Sequence, residues 1–82
     1  MTITVKFFAT FHDIVGVSEL KMNMADAATV GDLIARLEQQ YPVFEGKLDK
    51  LGLVAINEKY AHRRKELQPN DVVALFPPVS GG

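Results

Sequence analysis

Val72-Val73-Ala74-Leu75-Phe76-Pro77-Pro78-Val79-Ser80-Gly81-Gly82 closes the chain, and the reading of this stretch decides the fold. Residues 72–76 form an unbroken apolar run, the pattern of a short strand buried within a sheet. Pro77 and Pro78 end that strand, because neither donates a ladder hydrogen bond and each holds the residue before it extended. Beyond them the chain leaves the sheet as a stiff, outward-pointing arm of about 20 Å at full extension. Its tip, Gly81-Gly82, has no Cβ, so it fits a channel too narrow for other residue pairs and takes the backbone angles imposed there. The chain thus divides into a folded domain over residues 1–76 and a flexible, extended arm over residues 77–82.

Working back from that strand, Leu67-Gln68-Pro69-Asn70-Asp71 reads as a turn in which Asn70 takes the left-handed conformation cheaply. His62 to Glu66 is charged and reads as an exposed loop. Lys59-Tyr60-Ala61 is a short edge strand, Asn57-Glu58 the turn before it, and Leu51 to Ile56 another apolar strand. Val43 to Lys50 is a connection in which Phe44 and Leu48 plug the bottom of the core. Before it comes the strongest local signal. Val30, Leu33, Ile34, Leu37 and Tyr41 form one apolar stripe at helical spacing, with Thr29 as N-cap, Asp32 three residues on, and Pro42 at the exit. The N-terminal third alternates with period two. Ile3, Val5 and Phe7 face one way in a strand over residues 2–8, and Leu20, Met22 and Met24 do the same in its hairpin partner. Between them Ala9 to Val15 makes a helical turn with Phe11, Ile14 and Val15 inward and Gly16 as its stop.

The order strand, strand, helix, strand, short strand, strand specifies an α+β roll. A mixed sheet of about five strands carries one amphipathic helix across one face, reached by a right-handed crossover. Phe8 departs from the pattern as a large aromatic on the face of Thr4 and Lys6. In the last strand, parity sets Phe76 with Ala74 and Val72, opposite Val73 and Leu75. If the first and last strands are neighbours, Phe8 and Phe76 lie side by side on the uncovered face.

Composition narrows the function. The 82 residues suffice for one domain, and 48% hydrophobic with 23% charged residues is ordinary for a globular protein. A net charge of −1 with no basic stripe argues against nucleic acid as partner. No run reaches the length of a membrane-spanning helix, and Met1-Thr2-Ile3-Thr4 is not a signal peptide, so cytoplasm is the expected location. The absence of cysteine removes disulfides, thiolate ligands and thiol nucleophiles together. His12 and His62 have no second ligand at metal spacing, so no metal site is expected. Ser18 and Ser80 lack a triad pattern, and Asp13, Asp49 and Asp71 read as turn or cap residues. The chemically distinctive atoms are those of the C-terminus.

Phe7-Phe8-Ala9, Ala28-Thr29-Val30-Gly31-Asp32-Leu33 and the Ala74 to Gly82 block together resemble the ubiquitin-like, β-grasp sulfur carriers of the MoaD/ThiS superfamily. Within them the likeness is greatest to the small subunits of molybdopterin synthase. It covers the whole chain and is most specific in the terminal Phe-Pro-Pro-Val-x-Gly-Gly. His12 stands where many relatives have Arg, and Pro69-Asn70-Asp71 where they have an Asp-Gly-Asp turn.

The resemblance implies a protein without a catalytic site of its own and with no bound cofactor. An adenylating enzyme akin to ubiquitin-activating enzymes uses ATP and Mg²⁺ to make an acyl-adenylate of Gly82, and a sulfur donor displaces AMP to leave a thiocarboxylate. The arm, Pro77, Pro78, Val79, Ser80 and Gly81, then enters the large subunit of molybdopterin synthase, and Gly82 gives its sulfur to cyclic pyranopterin monophosphate. Two such transfers build the dithiolene, and two small and two large subunits make the assembly. Phe8, Phe76 and Tyr60, the last matching an apolar position of the family, form the partner-binding patch. Other roles carried by similar proteins are protein modification through the terminal glycine, tRNA thiolation and thiamin thiazole synthesis. Some archaeal modifiers end in the same Val-Ser-Gly-Gly.

Overall fold

Period-two alternation at the N-terminus becomes β1, Thr2–Phe7, with Ile3, Val5 and Phe7 buried and Thr4 and Lys6 half-buried on the other face. The structure is a computed structural model and describes residues 1–78. Of the arm assigned to residues 77–82, the part from Val79 onward lies outside the described residues.

A six-residue helix comes next, α1, Thr10–Val15, closed by Gly16 in the left-handed conformation (φ 84°). The chain returns as β2, Glu19–Asn23, antiparallel to β1 with Thr2 opposite Asn23 and Lys6 opposite Glu19. The main helix is α2, Val30–Gln40. A 3₁₀ turn at Pro42–Phe44 and a short helix, α3, Lys47–Leu51, lead to β3, Leu53–Ile56. β4, Lys59–Tyr60, pairs back on β3, and β5, Val72–Phe76, completes the sheet. β5 runs parallel to β1 and antiparallel to β3, so the strand order is β2-β1-β5-β3-β4. The last strand in sequence is therefore the central one in space. Parallel neighbours need a crossover, and α2 lies within the connection that supplies it. This is the β-grasp roll.

α2 forms where the sequence places it for two reasons. The Thr29 hydroxyl accepts from the Asp32 N–H at 3.2 Å while the Asp32 carboxylate accepts from the Thr29 N–H at 2.9 Å, a reciprocal capping box. Val30, Leu33, Ile34 and Leu37 then present one apolar edge, all four buried. Full burial of such side chains is worth roughly 1.5–3 kcal/mol each before entropy. They pack in one core cluster with Ile3, Val5, Phe7, Met22, Val54, Ile56, Val73 and Leu75 from the sheet. Phe44 and Leu48 are fully buried at the bottom, as expected of the apolar residues in that connection, and Phe11 meets Phe44 edge-on at 5.4 Å.

Four local expectations need correction. The first strand ends at Phe7, not Phe8, because Ala9 takes φ 54° and ψ −132° and turns the chain away. Ile14 is exposed: a helix of under two turns has one narrow inner edge, and Phe11 and Val15 take it. The third strand begins at Leu53 because the connection before it folds into α3. Gly52 makes that junction, where an added Cβ would come within 2.6 Å of the Leu48 carbonyl oxygen. The charged loop is not wholly exposed either. Arg63 is half-buried, and its guanidinium donates to the carbonyls of Leu48 at 2.9 Å and Gly52 at 3.2 Å. The same loop covers the start of α2, its Lys65 and Arg63 carbonyls accepting from the N–H groups of Val30 and Gly31, both at 2.9 Å. These are amides that a helix start leaves without intrahelical partners.

Candidate functional site

A sheet covered by one helix on one side leaves its other side uncovered, and strand parity decides which residues stand there. In β5 the buried residues are Val73 and Leu75, so Val72, Ala74 and Phe76 belong to the open face. In β3 the buried pair is Val54 and Ile56, which leaves Leu53 and Ala55. The register carries the face across the strands. Phe76 is opposite Leu53, Ala74 opposite Ala55, and Ala55 opposite Tyr60. On the other side Lys6 stands beside Ala74 and Thr4 beside Val72. One step beyond the Phe7–Leu75 pair puts Phe8 beside Phe76, and the Phe8 N–H donates to the Leu75 carbonyl at 3.1 Å.

The three aromatics singled out from the sequence therefore share one surface. Tyr60 and Phe76 are in ring contact, centroids 6.0 Å apart and planes tilted by 52°. Tyr60 is 78% exposed and Phe8 48%, and it is their grouping on one face, not exposure alone, that sets them apart. Phe76 is half-buried between its neighbours. Pro77, half-buried, and Pro78, exposed, take the chain off the end of β5 beside this patch. Val79, Ser80, Gly81 and Gly82, the other expected site residues, lie outside the described residues.

The patch is held by a polar network at the opposite end of β5. The Asn57 side chain accepts from the Val72 N–H and donates to the Asp71 carboxylate, both at 3.0 Å. The other Asp71 oxygen accepts from the Gln68 N–H at 2.7 Å. Asn57 and Glu58 both have positive φ (49° and 71°), the geometry of a tight hairpin turn, which aims β4 and hence Tyr60 back along β3. Asp71 is buried and acts as the turn residue its sequence context implied.

Sequence reasoning missed Leu53 and the Asn57–Asp71 link. Leu53 was findable, since it alternates with buried Val54 and Ile56. The Asn57–Asp71 pair left no signal, because only the sheet brings together residues fourteen positions apart.

In chemical terms the arrangement is an exposed aromatic and apolar face at a chain exit. Among the described residues no group of three His, Cys, Asp or Glu side chains could hold a metal ion, and His12 pairs with its neighbour Asp13 at 3.5 Å. No helix among them is long and apolar enough to cross a membrane.

Comparison with known proteins places the chain. The ThiS family pattern matches residues 5–82. Small archaeal modifier protein 3 of Haloferax volcanii is 34% identical, with all of both chains aligned. The molybdopterin synthase sulfur carrier subunit of Chlamydomonas reinhardtii is 32% identical, again over the whole of both. Among solved structures, a putative molybdopterin converting factor subunit 1 from Pyrococcus furiosus superimposes with a TM-score of 0.86. It is 32% identical and covers 95% of this chain and 98% of its own.

Proposed function

This chain belongs to the ThiS family, and from that premise we propose that it is a sulfur carrier whose reacting group is the terminal carboxylate of Gly82. The observation that carries the reading is that the family match runs through to residue 82. A free carboxylate, pKa about 3.3–3.7, is ionised and unreactive at neutral pH, so it needs activation. Adenylation by a partner enzyme, with ATP and Mg²⁺, joins Gly82 to AMP and releases pyrophosphate. A sulfur nucleophile at the oxidation level of hydrosulfide then expels AMP and leaves the thiocarboxylate. The thiocarboxylate sulfur attacks an acceptor carbon and expels the oxygen substituent there, as water or a phosphate oxygen, which joins the acceptor to Gly82 as a thioester. Water cleaves the thioester, leaving a thiol on the acceptor and restoring the carboxylate.

The acceptor is cyclic pyranopterin monophosphate, held in the large subunit of molybdopterin synthase. This reading is supported by the sulfur carrier subunit of that synthase among the full-length relatives and by the apolar face beside the chain exit. In it the patch of Phe8, Tyr60 and Phe76 docks on the large subunit, and Pro77 to Gly81 thread the active-site channel. The catalytic side chains belong to the partner.

A second reading is favoured by the Haloferax modifier. In that reading the same acyl-adenylate is attacked by a lysine amine, giving an isopeptide-linked conjugate. Both readings share the activation step, so one experiment addresses both. Incubation with the activating enzyme, ATP and a sulfur source is expected to raise the intact mass by about 16 Da, one oxygen exchanged for sulfur. A tag fused beyond Gly82 should abolish the gain. A tagged protein that gains the same mass overturns the assignment of Gly82. Conjugates in place of the mass gain favour the modifier.

A further inference from the structure

We propose that β2 is a self-pairing edge, through which two copies of this chain join antiparallel into one continuous sheet. Such pairing is independent of the chemistry proposed for Gly82.

β2 is an outer strand of the sheet, and its hydrogen-bonding direction can be read from its flanks. The Phe7 N–H donates to the Ser18 carbonyl and the Met24 N–H to the Met1 carbonyl. In an antiparallel ladder bonded pairs alternate, so Leu20 and Met22 spend their backbone groups on Val5 and Ile3. Glu19, Lys21 and Asn23 then turn theirs outward. The Asn23 carbonyl is already taken by the Arg36 guanidinium from α2, which closes that end of the edge. Glu19 and Lys21 are left as the open positions. Both are exposed, and among the described residues neither side chain has a hydrogen-bond or ion-pair partner.

These two residues select a single register. A two-fold antiparallel pairing must place outward-turned residues opposite one another. Setting Glu19 against Glu19, or Lys21 against Lys21, opposes like charges, which is destabilising across a ladder. The intermediate register puts Leu20 on the two-fold axis and Glu19 opposite Lys21 of the other copy, twice by symmetry. Each of these pairs exchanges both backbone bonds and both charges. On the same face Lys6 stands opposite Glu19 across β1, so the carboxylate sits between two lysines in the pair. Ile14 (41% exposed), in α1, and Val17 (43%), in the connection from α1 to β2, are exposed apolar residues outside the aromatic patch. β4, at the other edge, has two residues and cannot sustain such a pairing. The aromatic face around Phe76 lies beyond β1 and stays open.

The contact is small, so the dimer is weak, with a Kd on the order of 0.1–1 mM. Sedimentation equilibrium on the full chain, from about 0.05 to about 2 mM, should show it. Glu19→Lys alone and Lys21→Glu alone should each weaken association by about tenfold or more, since each opposes like charges. The exchanged variant E19K/K21E should restore it. Amide exchange at Glu19 and Lys21 should slow with rising protein concentration, and that at Phe76 should not. A wild-type chain that stays monomeric throughout overturns the proposal. So does dimerisation that the single variants leave intact, or that the double exchange does not rescue.

Discussion

Phe76 ends the central strand with β1 on one side and β3 on the other, its ring against Tyr60 and its backbone opposite Leu53. A phenylalanine in such a strand could have been core. Parity excludes it, because the adjacent Leu75 is fully buried on the helix side and successive side chains point to opposite faces. Substituting it is therefore expected to spare the fold. Phe76→Arg should keep a native circular dichroism spectrum and lose at least about 2 kcal/mol, roughly thirtyfold, in calorimetric binding to the large synthase subunit. Undiminished binding by the folded variant removes Phe76 from the interface, and collapse of the fold overturns its open-face assignment. Arg63 shows the limit of reading single residues. It sits in a run of charges, His62-Arg63-Arg64-Lys65, that gives no hint of which member turns inward. The fold picks it out by placing the carbonyls of Leu48 and Gly52, at the end of α3, within its reach.

Among the elements α2 was the most legible, because its signals agree. A capping pair, an apolar stripe and a terminating proline all place the same helix within a residue or two. The two ends of that agreement differ in strength. Leu37 is fully buried, so Leu37→Ala should cost about 2–5 kcal/mol by chemical denaturation. Thr29→Ala removes one cap bond near the surface and should cost about 1 kcal/mol. Equal costs would mean that the helix is held by its cap and not by its stripe. The short pieces were less legible. α3 and the 3₁₀ turn lie where the sequence suggests only a connection, since five-residue helices have too few turns to show a period. The start of β3 is hidden in the sequence for a related reason: Leu51-Gly52-Leu53 is apolar on both sides of the junction, and the steric demand at Gly52 separates helix from strand.

For the whole molecule, the order of strands in space departs from their order in sequence, with the last strand innermost. Every buried apolar residue among those described lies at or before Leu75. Deleting Val79-Ser80-Gly81-Gly82 should therefore shift the unfolding free energy by less than about 0.5 kcal/mol while abolishing the gain in mass on activation. A truncation as damaging as Leu37→Ala would place the last four residues within the folded unit.

The sequence by itself determined the alternation of β1 and β2, the capped helix, the left-handed turns at Gly16 and Asn70, and the family resemblance, most specific over residues 74–82. Each is written in neighbouring residues, because propensity, period and turn chemistry act within a few positions. Tertiary structure alone decided the Asn57–Asp71 link, the inward turn of Arg63, the exposure of Ile14 and the aligned outward amides of Glu19 and Lys21. These depend on which strands become neighbours and in what register. Such pairings join residues distant in sequence, and their energies belong to the assembled sheet and not to any one segment.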